Sequence, residues 1–150
     1  MKSISTKKKA VWGIILLAFG VVGWVSFTRL RSLMMLGYVD SAIGRVRTVV
    51  SAESEFAKNN PSVGYACTLS QLPDDDGTLR RVKTGEDNGY VFEISGCEQP
   101  ISGTPNLKYW ITARPLRTGL PAFCSDQSAV LRIDQSGSVQ KCEAEGSPLG

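Results

Sequence analysis

"LGYVDSAIGRVRTVVSAESEFAKNNPS", Leu36 to Ser62, is the stretch on which the fold turns. Apolar or small side chains recur at Leu36, Val39, Ile43, Val46, Val50 and Ala57, a three-and-four spacing that lines them along one side of an α-helix. Phe56 lies beside this stripe. Arg45, Arg47, Thr48, Ser51, Glu55 and Lys58 occupy the other faces, so the segment is amphipathic. Residues 1–60 contain no proline, and the residue before Pro61 avoids the α region, so Asn59-Asn60-Pro61 closes the helix. Gly37 and Gly44, seven apart, read equally as close-packing positions or as weak points. One use for the stripe is a coiled-coil seam between two chains, but it covers little more than three heptads and has no regular charges beside it. Packing on the chain's own following strands, which need a cover, is the expectation.

Upstream lies "AVWGIILLAFGVVGWVSFT", Ala10 to Thr28, without a charged side chain. At ~1.5 Å per residue a helix of this length approaches the ~30 Å hydrocarbon core of a bilayer, and Trp12 and Trp24 stand near its ends, where indoles prefer the interface. A cleaved signal peptide is the alternative. The apolar run is long for that, and the best small-x-small site, Ala18-Phe19-Gly20, falls inside it. Residues 1–31 hold six Lys/Arg and no acid, against an excess of three acids in residues 32–150, within a formal net charge of +3. The positive charge therefore flanks an apolar segment and marks no nucleic-acid face. Lys7, Lys8 and Lys9 place the N-terminus in the cytoplasm. Arg29 and Arg31 blur that rule, whereas four cysteines, all beyond the apolar run, favour export to an oxidising compartment. The expected organisation is a basic cytoplasmic leader (1–9), a transmembrane helix (10–28), an amphipathic continuation (29–60) and an extracytoplasmic β domain (61–150).

In that last part, "GYVFEISGC" puts Tyr90, Phe92 and Ile94 on one face and Val91, Glu93 and Ser95 on the other. "NLKYWITARP" alternates likewise, with Leu107, Tyr109, Ile111 and Ala113 opposite Lys108, Trp110, Thr112 and Arg114. "AVLRI" (129–133) and "SVQKC" (138–142) read as a final hairpin around Asp134-Gln135-Ser136-Gly137, with Gly137 left-handed and Ile133 opposite Val139. The resulting fold class is α+β: a long N-terminal helix packed on an antiparallel sheet of three or four strands.

A domain of this size gains from covalent support. Four cysteines allow three pairings; Cys67–Cys97 and Cys124–Cys142 are expected, because they join sequential neighbours across loops a small sheet can close. Spacings of 30, 27 and 18 contain no C-x-x-C, so zinc and thioredoxin-like chemistry lack their usual geometry. The chain has no histidine, hence no Ser-His-Asp or Cys-His pair, and no phosphate-binding glycine loop. Neither a catalytic residue nor a cofactor is expected. "PDDDGTLRR" is the one acidic cluster: Asp74, Asp75 and Asp76 are weak calcium candidates, more simply a solvated turn with Arg80 and Arg81 as counter-charge.

Basic leader, apolar helix with an amphipathic second half, small sheet and C-terminal disulfide together resemble type IV pilins and the pseudopilins of type II secretion. "SAIGRVRTVVSAESEFAKNNPSVGYACTLSQL" (41–72) is similar to the helix end and following loop of that group, with "NGYVF" (88–92) and "FCSDQSAVLR" (123–132) similar to its last strands. The resemblance covers roughly residues 36–149. It implies leader cleavage, here after Ala10, followed by Phe-Thr-Leu-x-Glu, but the fifth residue after Ala10 is Ile15. The implied function is a non-enzymatic, single-pass subunit of the bacterial inner membrane. It would act through contacts with lipid, other pilin-like subunits or assembly proteins, either uncleaved or as a minor subunit. An anchored binding or sensor module is the alternative, favoured by an exposed Trp110. An enzyme would need turnover dependent on Asp126 or Cys124.

Overall fold

The computed structural model describes residues 6–74, 77–97 and 104–149, with the side chains of 6–22, 25 and 27–34 outside that description. Helix α1 runs Thr6–Asn59, and the chain divides into two compact units, Met1–Gly37 and Tyr38–Gly150. In the first unit Trp24, Met35 and Leu36 are exposed. Among the described residues no helix is long and apolar enough to cross a membrane. The expected span, Ala10–Thr28, and the expected cleavage position, Ala10, fall largely or wholly on side chains outside the description.

The second unit is α+β. Six strands, β1 (Glu86–Asp87), β2 (Tyr90–Ser95), β3 (Trp110–Pro115), β4 (Ala122–Asp126), β5 (Arg132–Asp134) and β6 (Ser147–Pro148), form one sheet in sequence order with every neighbour antiparallel. Both edge strands have two residues, and one contains a proline. Register aligns Phe92, Ala113 and Phe123 across three strands, with Ile94, Ile111 and Ser125 beside them. This row faces the last turns of α1. There Ala42, Val46 and Val49 are buried with Tyr90, Phe92, Ile111 and Phe123 in one core.

The apolar stripe packs on the core through Val39, Ile43, Val46 and Val50, and the most deeply buried row runs along one side of it. Val46 is the stripe's one fully buried member; Val39, Ile43, Val50 and Ala57 are half-buried and Leu36 is exposed. The buried row is Ala42, Val46, Val49 and Glu53, because a sheet covered by one helix takes its narrow centre line and leaves the flanking side chains half open. At the helix end Asn60 donates from its backbone and side chain to the Phe56 carbonyl, both at 2.9 Å, which ends α1 next to Pro61.

The expected final hairpin is corrected. Ser138–Cys142 is no strand: Val139–Glu145 is helix α3, with the Ser138 Oγ accepting from the Lys141 N–H. The tight turn itself is present, since Gly137 (φ +80°) donates its N–H to the Asp134 carbonyl at 3.2 Å. The Asp134 carboxylate also accepts the N–H groups of Ser136 and Ser138, so the turn feeds a helix start. Ile133 consequently pairs with Phe123 and Ser147 rather than Val139. Among the described residues the sheet thereby has six strands, not three or four, and α3 lies over the face opposite α1.

Strand β4 is buried along its whole length, Ala122 to Asp126. Phe123 and Ser125 belong to the α1 side, while Cys124 bonds Cys142 of α3 at a Cα separation of 6.0 Å. Thr112, beside Cys124, is buried too, although alternation put it outside. The strand expected over Asn106–Pro115 begins only at Trp110, and Leu107 is 70 % exposed. Before it, Asn106 makes a parallel bridge with Gly64.

Gly64 has φ +79°, and a Cβ there would collide with the Asn106 carbonyl. Gly64→Ala is expected to cost about 3 kcal/mol, the sum of left-handed strain and overpacking, read as a lower urea midpoint at unchanged slope.

Candidate functional site

The seam between α1 and the sheet carries polar residues, Arg45 at its edge and Glu53 within it. Arg45 reaches over the sheet edge: its Nε donates to Asp87 Oδ2 at 2.8 Å and its Nη1 to the Thr78 carbonyl at 3.2 Å. Asp87 is buried at the end of β1, and Arg81 of helix α2 (Arg80–Lys83) stands 3.7 Å from its other oxygen. The close Arg45–Asp87 pair, with the largely exposed Arg81 more distant, compensates the buried carboxylate and ties α1 to the sheet edge. At the other side Arg117 lies 4.8 Å from the Tyr38 ring centre and donates to its hydroxyl at 3.1 Å.

Glu53 is the second polar member of the seam and is wholly buried. Its Oε2 accepts the Ala66 N–H at 2.8 Å, whereas Oε1 is enclosed with no partner. Burial pushes the carboxyl up to about 7, with the Ala66 N–H pulling in the opposite direction. Tyr109 is nearby, and burial followed by the charge of Glu53 raises its phenol.

Around Ala66 the segment Val63–Cys67 forms a strap held to the sheet side. Asn106 donates its N–H to the Val63 carbonyl and accepts the Tyr65 N–H, at 2.8 and 2.9 Å. The Tyr65 and Tyr109 ring centres are 4.9 Å apart. Cys67 and Cys97 are disulfide-bonded, and the Asn106 amide points at both sulfurs, 3.0 Å from Cys97 and 3.4 Å from Cys67.

On the opposite face Trp110 is half-buried beneath the Arg132 guanidinium, 5.5 Å from its ring centre, and Arg132 lies 3.5 Å from Asp126. Asp126 Oδ1 accepts from the Ser128 N–H at 2.8 Å. These carboxylate contacts build the turn into β5 and present no nucleophile. Cys124 is bonded and buried. The indole is therefore a covered floor rather than an open platform.

Two hollows flank α1. One of about 530 Å³ lies between Thr48, Ser51 and Glu55 and the segment Pro73–Leu79; a smaller one of about 240 Å³ lies between Val46, Arg47 and Val50 and the turn at Ala129. Of the acidic cluster, Asp74 accepts the Leu79 N–H at 2.7 Å, which makes it a turn residue, and Asp75 and Asp76 lie outside the described residues. Among the described residues no group of three or more His, Cys, Asp or Glu side chains gathers as metal ligands would. Glu53 and Asp87 are buried where the sequence pattern marks no interior position, whereas Arg45 is part-exposed, in keeping with its polar face. Glu53 had a visible signal, since it follows Ala42, Val46 and Val49 at helical spacing.

The fold and the seam define a class: an α+β domain in which one face of an antiparallel meander is backed by a long helix and the other by a disulfide-anchored short one. No protein family, no curated protein and no solved structure matches the chain.

Proposed function

We propose that this chain is a non-enzymatic, membrane-anchored pilin-like subunit acting by protein–protein contacts in a type IV pilus or type II secretion-like system. The observation that carries the reading is the mating of Ala42, Val46 and Val49 of α1 with the buried face of a six-stranded antiparallel sheet whose other face is closed by Cys124–Cys142. Apolar sequence upstream of the sheet-bound turns supports an anchor, and Ala10–Thr28 then spans the inner membrane with the basic leader in the cytoplasm. Two disulfides support an extracytoplasmic location for the second unit. Exposed Trp24, Met35 and Leu36 fit a surface shared by lipid and neighbouring subunits. The anchored binding module draws less support, because Arg132 covers Trp110.

The test places a photo-crosslinking residue at position 24 or 36 of the membrane-expressed chain. Lipid adducts at 24, protein adducts at 36 and resistance to alkaline carbonate extraction are expected. Release of the whole chain by carbonate would remove the anchor and the proposal with it. Comparing the unmodified chain with Ile15→Glu then asks whether prepilin peptidase needs the missing carboxylate: cleavage of the variant alone is expected.

A further inference from the structure

The buried row of α1 ends in the Glu53 carboxyl, one oxygen of which is enclosed without a partner. The strap Val63–Cys67 is fastened to the segments that follow β2 and precede β3 by the Asn106 bridge, the Tyr65–Tyr109 ring contact and the Cys67–Cys97 bond. Its hydrogen bond to α1 runs through Glu53. We propose that Glu53 is a proton-operated clasp between α1 and this strap, closed while the carboxyl is neutral and released when it ionises.

The geometry supplies the reason. Ala66 and Glu53 are both fully buried, so water does not reach the joint while it is shut. A neutral carboxyl leaves Oε1 as one unsatisfied polar atom, a modest cost. An ionised one leaves charge on an atom without a donor, which is far more costly in an apolar surround. Among the described residues, the titratable groups facing the joint are the Tyr65 phenol from the strap and Tyr109, preceding β3, with Asp126 of β4 acting on Tyr109 behind them. None of them is a cation. Arg45, on the same helix, is engaged by Asp87. Opening the clasp hydrates Glu53 while the disulfide keeps the strap on the sheet, so the end of α1 loosens without global unfolding. The ligand of this site is the proton, and the inference stands whether or not the chain enters a filament.

Amide hydrogen exchange on the full chain, with the intrinsic base-catalysed rate divided out, tests it. For a carboxyl that titrates near 7 when closed and near 4.5 when open, Ala66 protection should fall roughly 70-fold between pH 5 and pH 8. Ile111 and Phe123, in the sheet core, exchange only on global unfolding; they should fall by a similar factor but stay far more protected than Ala66 at every pH. Glu53→Gln should flatten the dependence, whereas Glu55→Gln, exposed on the same helix, should preserve it. If Glu53→Gln does not fold, the carboxyl ¹³C shift of Glu53 in the unmodified chain answers the same question, with a midpoint near 7 expected. A midpoint near 4.5, an Ala66 protection that ignores pH, or an Ala66 protection as high as that of Ile111 and Phe123 would overturn the clasp.

Discussion

Replacing both Cys124 and Cys142 with alanine is expected to lower the unfolding free energy of the Tyr38–Gly150 unit by about 3–5 kcal/mol. The bond closes a loop with a sequence separation of 18, for which loss of denatured-state entropy alone is worth about 3 kcal/mol. Both sulfurs lie in a fully buried site, so the truncated thiols also leave a small void. Helix α3 has seven residues, too few to persist without its attachment. With it loosened, the buried Cys124 side of β4 would meet water. Urea unfolding measures the loss, and limited proteolysis should cut first within Ser138–Gly146. An unchanged midpoint in the double variant would show that packing, not the covalent bond, holds α3.

The second large effect is a dependence of stability on pH that runs opposite to the usual carboxylate. Glu53 titrates near 4.5 unfolded and about 7 folded, so the native state holds the proton more tightly. Its contribution is therefore complete below pH 4.5 and disappears as pH climbs through 7. A shift of this size corresponds to at most about 3 kcal/mol. Unmodified protein should lose most of that between pH 5 and pH 8, while Glu53→Gln should vary little over the range. At pH 8 the variant should be the more stable of the two, because glutamine still accepts the Ala66 N–H and carries no charge. Asp134 acts in the other sense: hydrogen bonds from Ser136 and Ser138 hold its carboxyl below the ordinary range, so its contribution is lost only on strong acidification. Urea midpoints collected across the pH series separate the two. A flat series for unmodified protein contradicts the raised value of Glu53.

Tyr90, Phe92 and Ile94 could be placed on the core face of β2 from alternation, because that strand is half-buried as the pattern assumes. Helix termination at Asn59-Asn60-Pro61 was legible for a comparably local reason. Ser138–Cys142 was not: its two apolar side chains, Val139 and Cys142, lie three apart, as on a helical turn, but five residues after a turn are too few for spacing to decide between helix and strand. What decided between them was the Asp134 carboxylate and the Ser138 hydroxyl, which cap backbone N–H groups and start α3. Missing α3 hid the second covered face, and with it the burial of Thr112 and the roof over Trp110. Glu53 escaped because an acid in an apolar row is ordinarily assigned outward. Its burial depends on Ala66, thirteen residues away, reaching back across Pro61.

The brevity of β1 and β6 limits how any associate can bind. Each rim exposes only two residues of backbone, one rim is acidic at Glu86, and the other includes Pro148, which has no N–H to give. Recruitment by annealing an extra ribbon onto this layer is thereby disfavoured, as is runaway edge-to-edge stacking between copies. Specificity must reside in side-chain relief, which single substitutions can redraw without disturbing the scaffold beneath.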